Sequence, residues 1–118
     1  MQDNQMYPTG VNPVGARTTA LGAAGTADLS LFEIINLSST ATTAVTLTNP
    51  VIGRTYYISA TGTGTNDRVV TFSGCTLNET GNSVATFNAI DENLVLLCVT
   101  ATKYSLISNN GVVVLSSP

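Results

Sequence analysis

The chain has 118 residues and a mass of 12.2 kDa, which is enough for one domain around a single core and too little for two. Charged residues make up 9% of it, against roughly a quarter in an ordinary globular protein, while hydrophobic residues reach 43%, so the chain is not a disordered one. Its net charge of −3, with Arg17, Arg54, Arg68 and Lys103 scattered along the sequence, argues against nucleic acid as a partner, because phosphate backbones attract clustered cations.

Residues 1–27 open the chain with Pro8, Pro13 and four glycines and hold no sustained period of 2 or 3.6. They read as an extended N-terminal arm. Met6, Tyr7, Val11, Val14 and Leu21 are spaced along it like anchors for another surface, since a free arm would leave all five in water. The competing reading is a terminus that stays disordered because nothing ties it down. The first ten residues carry neither the basic region nor the apolar run of a signal peptide. The longest apolar run, "LVLLCV", has six residues against the ~20 of a membrane-spanning helix. Synthesis in the cytosol and no membrane contact are the expectations.

Residues 28–118 form the second unit, an all-β domain. The chain's 19 Thr fit the pleated, half-exposed face of a strand. Short β-prone runs alternate with small polar turns about every 8–12 residues, as in sandwiches and barrels. The runs are 30–37, 44–48, 54–60, 68–73, 83–88, 94–101, 103–108 and 112–116. Together they predict an antiparallel β-sandwich or jelly-roll-like domain of about eight strands. Val45 and Leu47 alternate with polar neighbours and predict one buried face. "LVLLCV" does not alternate, which predicts a central strand covered on both sides.

The turns carry glycine and asparagine rather than helix caps. "TNPVIG" holds Asn49, Pro50 and Gly53; "TGTGTND" (61–67) separates two β-rich runs; "ETGNS" holds Gly81; and Asn110-Gly111 is a strong signal for a tight hairpin. The Gly-x-Gly of the 61–67 tip is no phosphate loop, because a strand and not a helix follows it. Asn66 and Asp67 supply too few oxygens for calcium.

Chemistry is scarce elsewhere. Without histidine, Ser-His-Asp and Cys-His arrangements are unavailable. Asp91 and Glu92 are adjacent and point to opposite faces of an extended chain, so "AIDEN" reads as a polar turn. Lys103 and Ser105 share a strand face that reads as solvated. Cys75 and Cys98 sit in apolar runs and read as buried free thiols, with a cross-strand disulfide as the alternative; two thiols alone cannot complete a zinc site. Tyr56, Tyr57 and Tyr104 could stack on sugar rings or pack with one wet end. No catalytic residue, cofactor or metal is expected.

The run 44–111 has a further pattern: a "VTL" strand at Val45 to Leu47, a Pro-x-x-Gly turn at Pro50 to Gly53 and a Tyr-x-Ile strand at Tyr56 to Ile58. The Gly/Thr/Asn tip from Thr61 to Asp67 follows, then small residues from Gly74 to Ser83, the apolar strand Leu94 to Val99 and an aromatic closing strand at Tyr104 to Ile107 before Asn-Gly. This resembles a β-module of tailed-bacteriophage virion proteins, closest in character to small capsid decoration (cement) proteins, although the closing aromatic in such modules is often Trp. The resemblance covers just over half of the chain. It implies a structural protein on the capsid surface, made in the host cytoplasm, whose partner is the major capsid protein or another shell protein, with a homotrimer by analogy. The alternative it leaves is a receptor- or glycan-binding module at a tail or fibre tip.

Overall fold

The computed structural model describes residues 17–22, 25–77, 81–111 and 113–117. Ten strands follow one another: β1 (Thr18–Leu21), β2 (Gly25–Asp28), β3 (Ile34–Leu37), β4 (Thr43–Thr48), β5 (Thr55–Ala60), β6 (Arg68–Phe72), β7 (Val84–Phe87), β8 (Asn93–Thr100), β9 (Lys103–Asn110) and β10 (Val114–Ser116). They form two five-stranded sheets, ordered β1-β3-β5-β8-β9 (sheet A) and β10-β7-β6-β4-β2 (sheet B). The expected all-β sandwich is what the chain builds.

Period-2 patterning explains the layers. In β4, Val45 and Leu47 are buried while Thr46 and Thr48 are half-buried; in β5, Tyr56, Ile58 and Ala60 turn inward and Tyr57 turns outward. The inward side chains of both sheets, with Leu29 and Leu77 from the turns, make one core. Tyr104 stands at its centre in edge-on contact with Phe72 at 5.3 Å and Tyr56 at 6.4 Å between ring centroids.

The pairing corrects the antiparallel expectation. β1-β3, β3-β5, β2-β4 and β4-β6 are parallel, and only β5-β8, β8-β9, β6-β7 and β7-β10 are antiparallel. The reason lies in the connections. From β1 to β6 the chain changes sheet at every turn, so each strand returns beside the one two before it, running the same way. Three windings stack in this manner, and antiparallel strands complete the other side of each sheet, β8 and β9 in sheet A and β7 and β10 in sheet B.

Three smaller corrections accompany it. The 61–67 tip and Asn110-Gly111 both carry the chain between sheets, so neither is a hairpin. β8 is covered on one face only: Leu94, Leu96 and Cys98 are buried, whereas Val95 and Leu97 are half-buried and Val99 is exposed. The arm is shorter than 1–27, because residues 18–21 and 25–28 are strands; the boundary at 27/28 falls inside β2.

Candidate functional site

The turns between sheets leave main-chain groups that no ladder satisfies, and buried charged side chains take them up. The first such cluster sits where the arm enters the domain. Glu33, fully buried in the β2–β3 turn, accepts at Oε1 from the Arg17 backbone N–H at 3.0 Å and from Arg17 Nε at 3.3 Å. Its Oε2 accepts from Arg17 Nη2 at 2.6 Å and from Arg54 Nη1 at 3.1 Å. Both arginines also donate to the Ser30 carbonyl. The Arg17 carbonyl in turn accepts from the N–H groups of Glu33 and Ile34. Burial pushes the Glu33 carboxyl up, but the hydrogen bonds and charges of Arg17 and Arg54 outweigh it and hold the group below the ordinary carboxylate range.

The second cluster answers the question of the 61–67 tip. Arg68, fully buried at the start of β6, has no carboxylate partner among the described residues. Its guanidinium donates instead to four backbone carbonyls: Ser39 at 3.0 Å, Gly62 at 2.8 Å, Thr63 at 2.7 Å and Gly64 at 3.4 Å. The tip thereby lies on the turn of the preceding winding, where Thr61 and Gly62 N–H also donate to the Leu37 carbonyl and the Asn66 side chain to that of Thr40. Gly62 is required by this approach. A Cβ there would stand 2.1 Å from the Ser39 oxygen. The tip is a stacked turn whose Gly62, Thr63 and Gly64 carbonyls are turned to its own chain.

The third buried charge is Glu92, at the β7–β8 turn, whose carboxylate accepts from the N–H groups of Asn88 and Ala89 at 2.7 and 3.1 Å. Asp91 beside it is exposed with φ of 71°, so the two carboxylates diverge as an extended pair would. Among the described residues no three His, Cys, Asp or Glu side chains gather as a metal group. Lys103 and Ser105 are both exposed.

Cys75 and Cys98 are free and buried, with Sγ atoms against the carbonyls of Ala101 and Thr100 respectively. Burial raises both thiols above their ordinary value. The Tyr104 hydroxyl lies by the Cys75 thiol, makes no well-formed hydrogen bond, and is pushed far up by burial. Above Cys75 runs a shallow open groove of about 630 Å³, lined mainly by small and hydroxyl-bearing residues such as Thr71, Ser73, Thr76 and Ser83, with Lys103 at its rim.

Of the five candidate arm anchors, Met6, Tyr7, Val11 and Val14 lie outside the described residues. Leu21 belongs to β1 and packs, half-buried, against the domain's own core. Of the three tyrosines, Tyr56 and Tyr104 are buried; the Tyr56 hydroxyl donates to the Leu29 carbonyl at 2.7 Å and accepts from Val51 N–H at 2.9 Å. Only Tyr57 is exposed. The buried charges went unmarked in the sequence reading, although one acid inside the apolar run "SLFEIINL" was a visible signal: a carboxylate between Phe32 and Ile34 needs partners. No protein-family model, curated protein or solved structure matches the chain, so its resemblance to phage virion modules rests on the sequence motifs alone.

Proposed function

We propose that this chain is a non-enzymatic virion structural protein that decorates and stabilises a bacteriophage capsid, its β-sandwich docking on the shell lattice with the N-terminal arm as tether. The observation that carries this reading is where the charges are. Nine charged side chains fall among the described residues, and Arg17, Glu33, Arg54, Arg68 and Glu92 are all engaged within the fold. What the domain turns outward is largely threonine, serine, asparagine and small apolar residues, which can be laid against a neighbour without stripping water from charges. Each bound copy would stabilise the shell by mass action, since the contacts exist only in the assembled state.

The fibre-tip alternative calls for an exposed aromatic cluster around Tyr56 and Tyr57. With Tyr56 buried, only Tyr57 of that pair reaches the surface, and no observation favours that reading.

The test is cosedimentation of the full chain with undecorated shells of the virus that encodes it. Saturable binding at high copy number is expected, and no binding would overturn the proposal. A truncation of residues 1–16, which stops short of Arg17 and leaves β1 and β2 whole, should bind more weakly. Undiminished binding by that truncation would remove the arm from the mechanism.

A further inference from the structure

The outer face of sheet A is unlike any other surface of the domain. Strand register places Ile34, Tyr57 and Val95 side by side across β3, β5 and β8. On β9 a bulge leaves Ile107 unpaired between Leu106, which faces Leu96, and Ser108, which faces Val95. The bulge turns Ile107 outward, where it is 57% exposed, and extends the apolar row across a fourth strand. On one side of this row runs a neutral polar one, Asn36, Ser59, Asn93 and Asn110 in register. On the other side lie Thr55, Leu97 and Ser105. None of the three rows carries a charge; Lys103 lies beyond them at the β8–β9 turn.

We propose that this face is a self-association surface, packing against the same face of one further copy of this chain about a two-fold axis. Three features select a copy of itself as the occupant. Carboxamides and hydroxyls donate and accept alike, so the Asn/Ser row is complementary to itself, as an isologous contact demands. The absence of charge lets copies of an acidic chain meet there without repulsion. The apolar centre with a polar rim is the anatomy of a protein–protein interface, and five strands of four to eight residues give on the order of 500 Å² per copy, reaching the roughly 1,000 Å² total of a specific contact.

Sheet edges are the poorer route to association. β1, β2 and β10 are three or four residues long, and the eight-residue edge strand β9 is interrupted by two register shifts.

Sedimentation equilibrium on the full chain should give at least twice 12.2 kDa. Ile107→Asp and Tyr57→Asp, both at exposed positions, should keep the far-UV spectrum and weaken association by at least about tenfold. Val114→Asp, equally exposed on the outer face of sheet B, should leave the mass unchanged. A monomeric wild type, an undiminished mass for the two sheet A variants, or equal dissociation by Val114→Asp would each overturn the proposal. It does not rest on shell docking. Oligomers that ignore shells would sink that reading and leave this one standing.

Discussion

The turns that carry the chain from one sheet to the other differ from the turns that keep it in the same sheet. The β2–β3, β4–β5, β5–β6 and β7–β8 connections change sheet, and each holds or adjoins a charged group engaged within the fold: the buried Glu33, Arg68 and Glu92 and the half-buried Arg54. The β8–β9 hairpin is served by neutral groups, among them the Thr100 hydroxyl, which accepts from Thr102 N–H, and the described part of the β6–β7 hairpin is closed by backbone bonds such as Leu77 N–H to the Asn82 carbonyl. A hairpin satisfies its own main chain because its two strands continue to pair. A connection between sheets has no such ladder, and a multidentate side chain such as arginine can gather several stranded carbonyls at once. The β9–β10 connection achieves the same with a neutral group, the Asn109 carboxamide donating to the Val113 carbonyl and accepting from its N–H.

The sharpest way to break this contrast is Arg68→Ala, which strands four carbonyls and should cost about 4 kcal/mol in chemical denaturation. Gly62→Ala attacks the same stack from the other side. With the Ser39 oxygen 2.1 Å from the new Cβ, the turns must separate, at a cost of about 3 kcal/mol. Glu33→Gln leaves two arginines facing a neutral amide and should cost about 3 kcal/mol, the order of a broken buried pair.

The same carboxylate makes the contrast pH-dependent. Its folded value lies below its unfolded one, so its contribution to stability is present above the ordinary carboxylate range and is lost as pH falls through the lowered value. Hydrogen exchange in mild acid should then show β1 and β3 amides opening before those of β8 and β9. Simultaneous opening would mean that the Arg17–Glu33–Arg54 cluster does not hold the windings. At the small end, Tyr104→Phe removes a hydroxyl without a well-formed partner from the hairpin side of the core, and stability should stay within about 0.5 kcal/mol. A loss of 2 kcal/mol would reveal that the Cys75 thiol is a better partner than the geometry indicates.

Eight of the ten strands were legible in the sequence as short β-prone runs between small polar turns. β1 and β2, "TTAL" and "GTAD", were not, since Gly, Ala and Thr around a single Leu carry no period, and their strand state comes from pairing with β3 and β4. Turn residues told where the chain reverses and not which sheet it enters next. Asn110-Gly111 looks the same in a hairpin as in a crossing, because positive φ is a local need and sheet membership is not. The row on the outer face of sheet A was illegible for a related reason: Ile34, Tyr57, Val95 and Ile107 meet only through register and a bulge. The scarcity of catalytic groups, by contrast, was readable from composition.

The Arg17 junction has a mechanical meaning. Six hydrogen bonds converge on this one residue from Glu33, Ser30 and Ile34, immediately before the strand that pairs with β3. Tension drawn through the preceding residues meets those bonds before it reaches the β1 ladder, whether the pull runs along the strand or across it. The load passes through the Glu33 carboxylate to Arg54 at the head of β5, the middle strand of sheet A. A tether rooted this way delivers force to the interior of the sheet and spares its outermost strand from peeling.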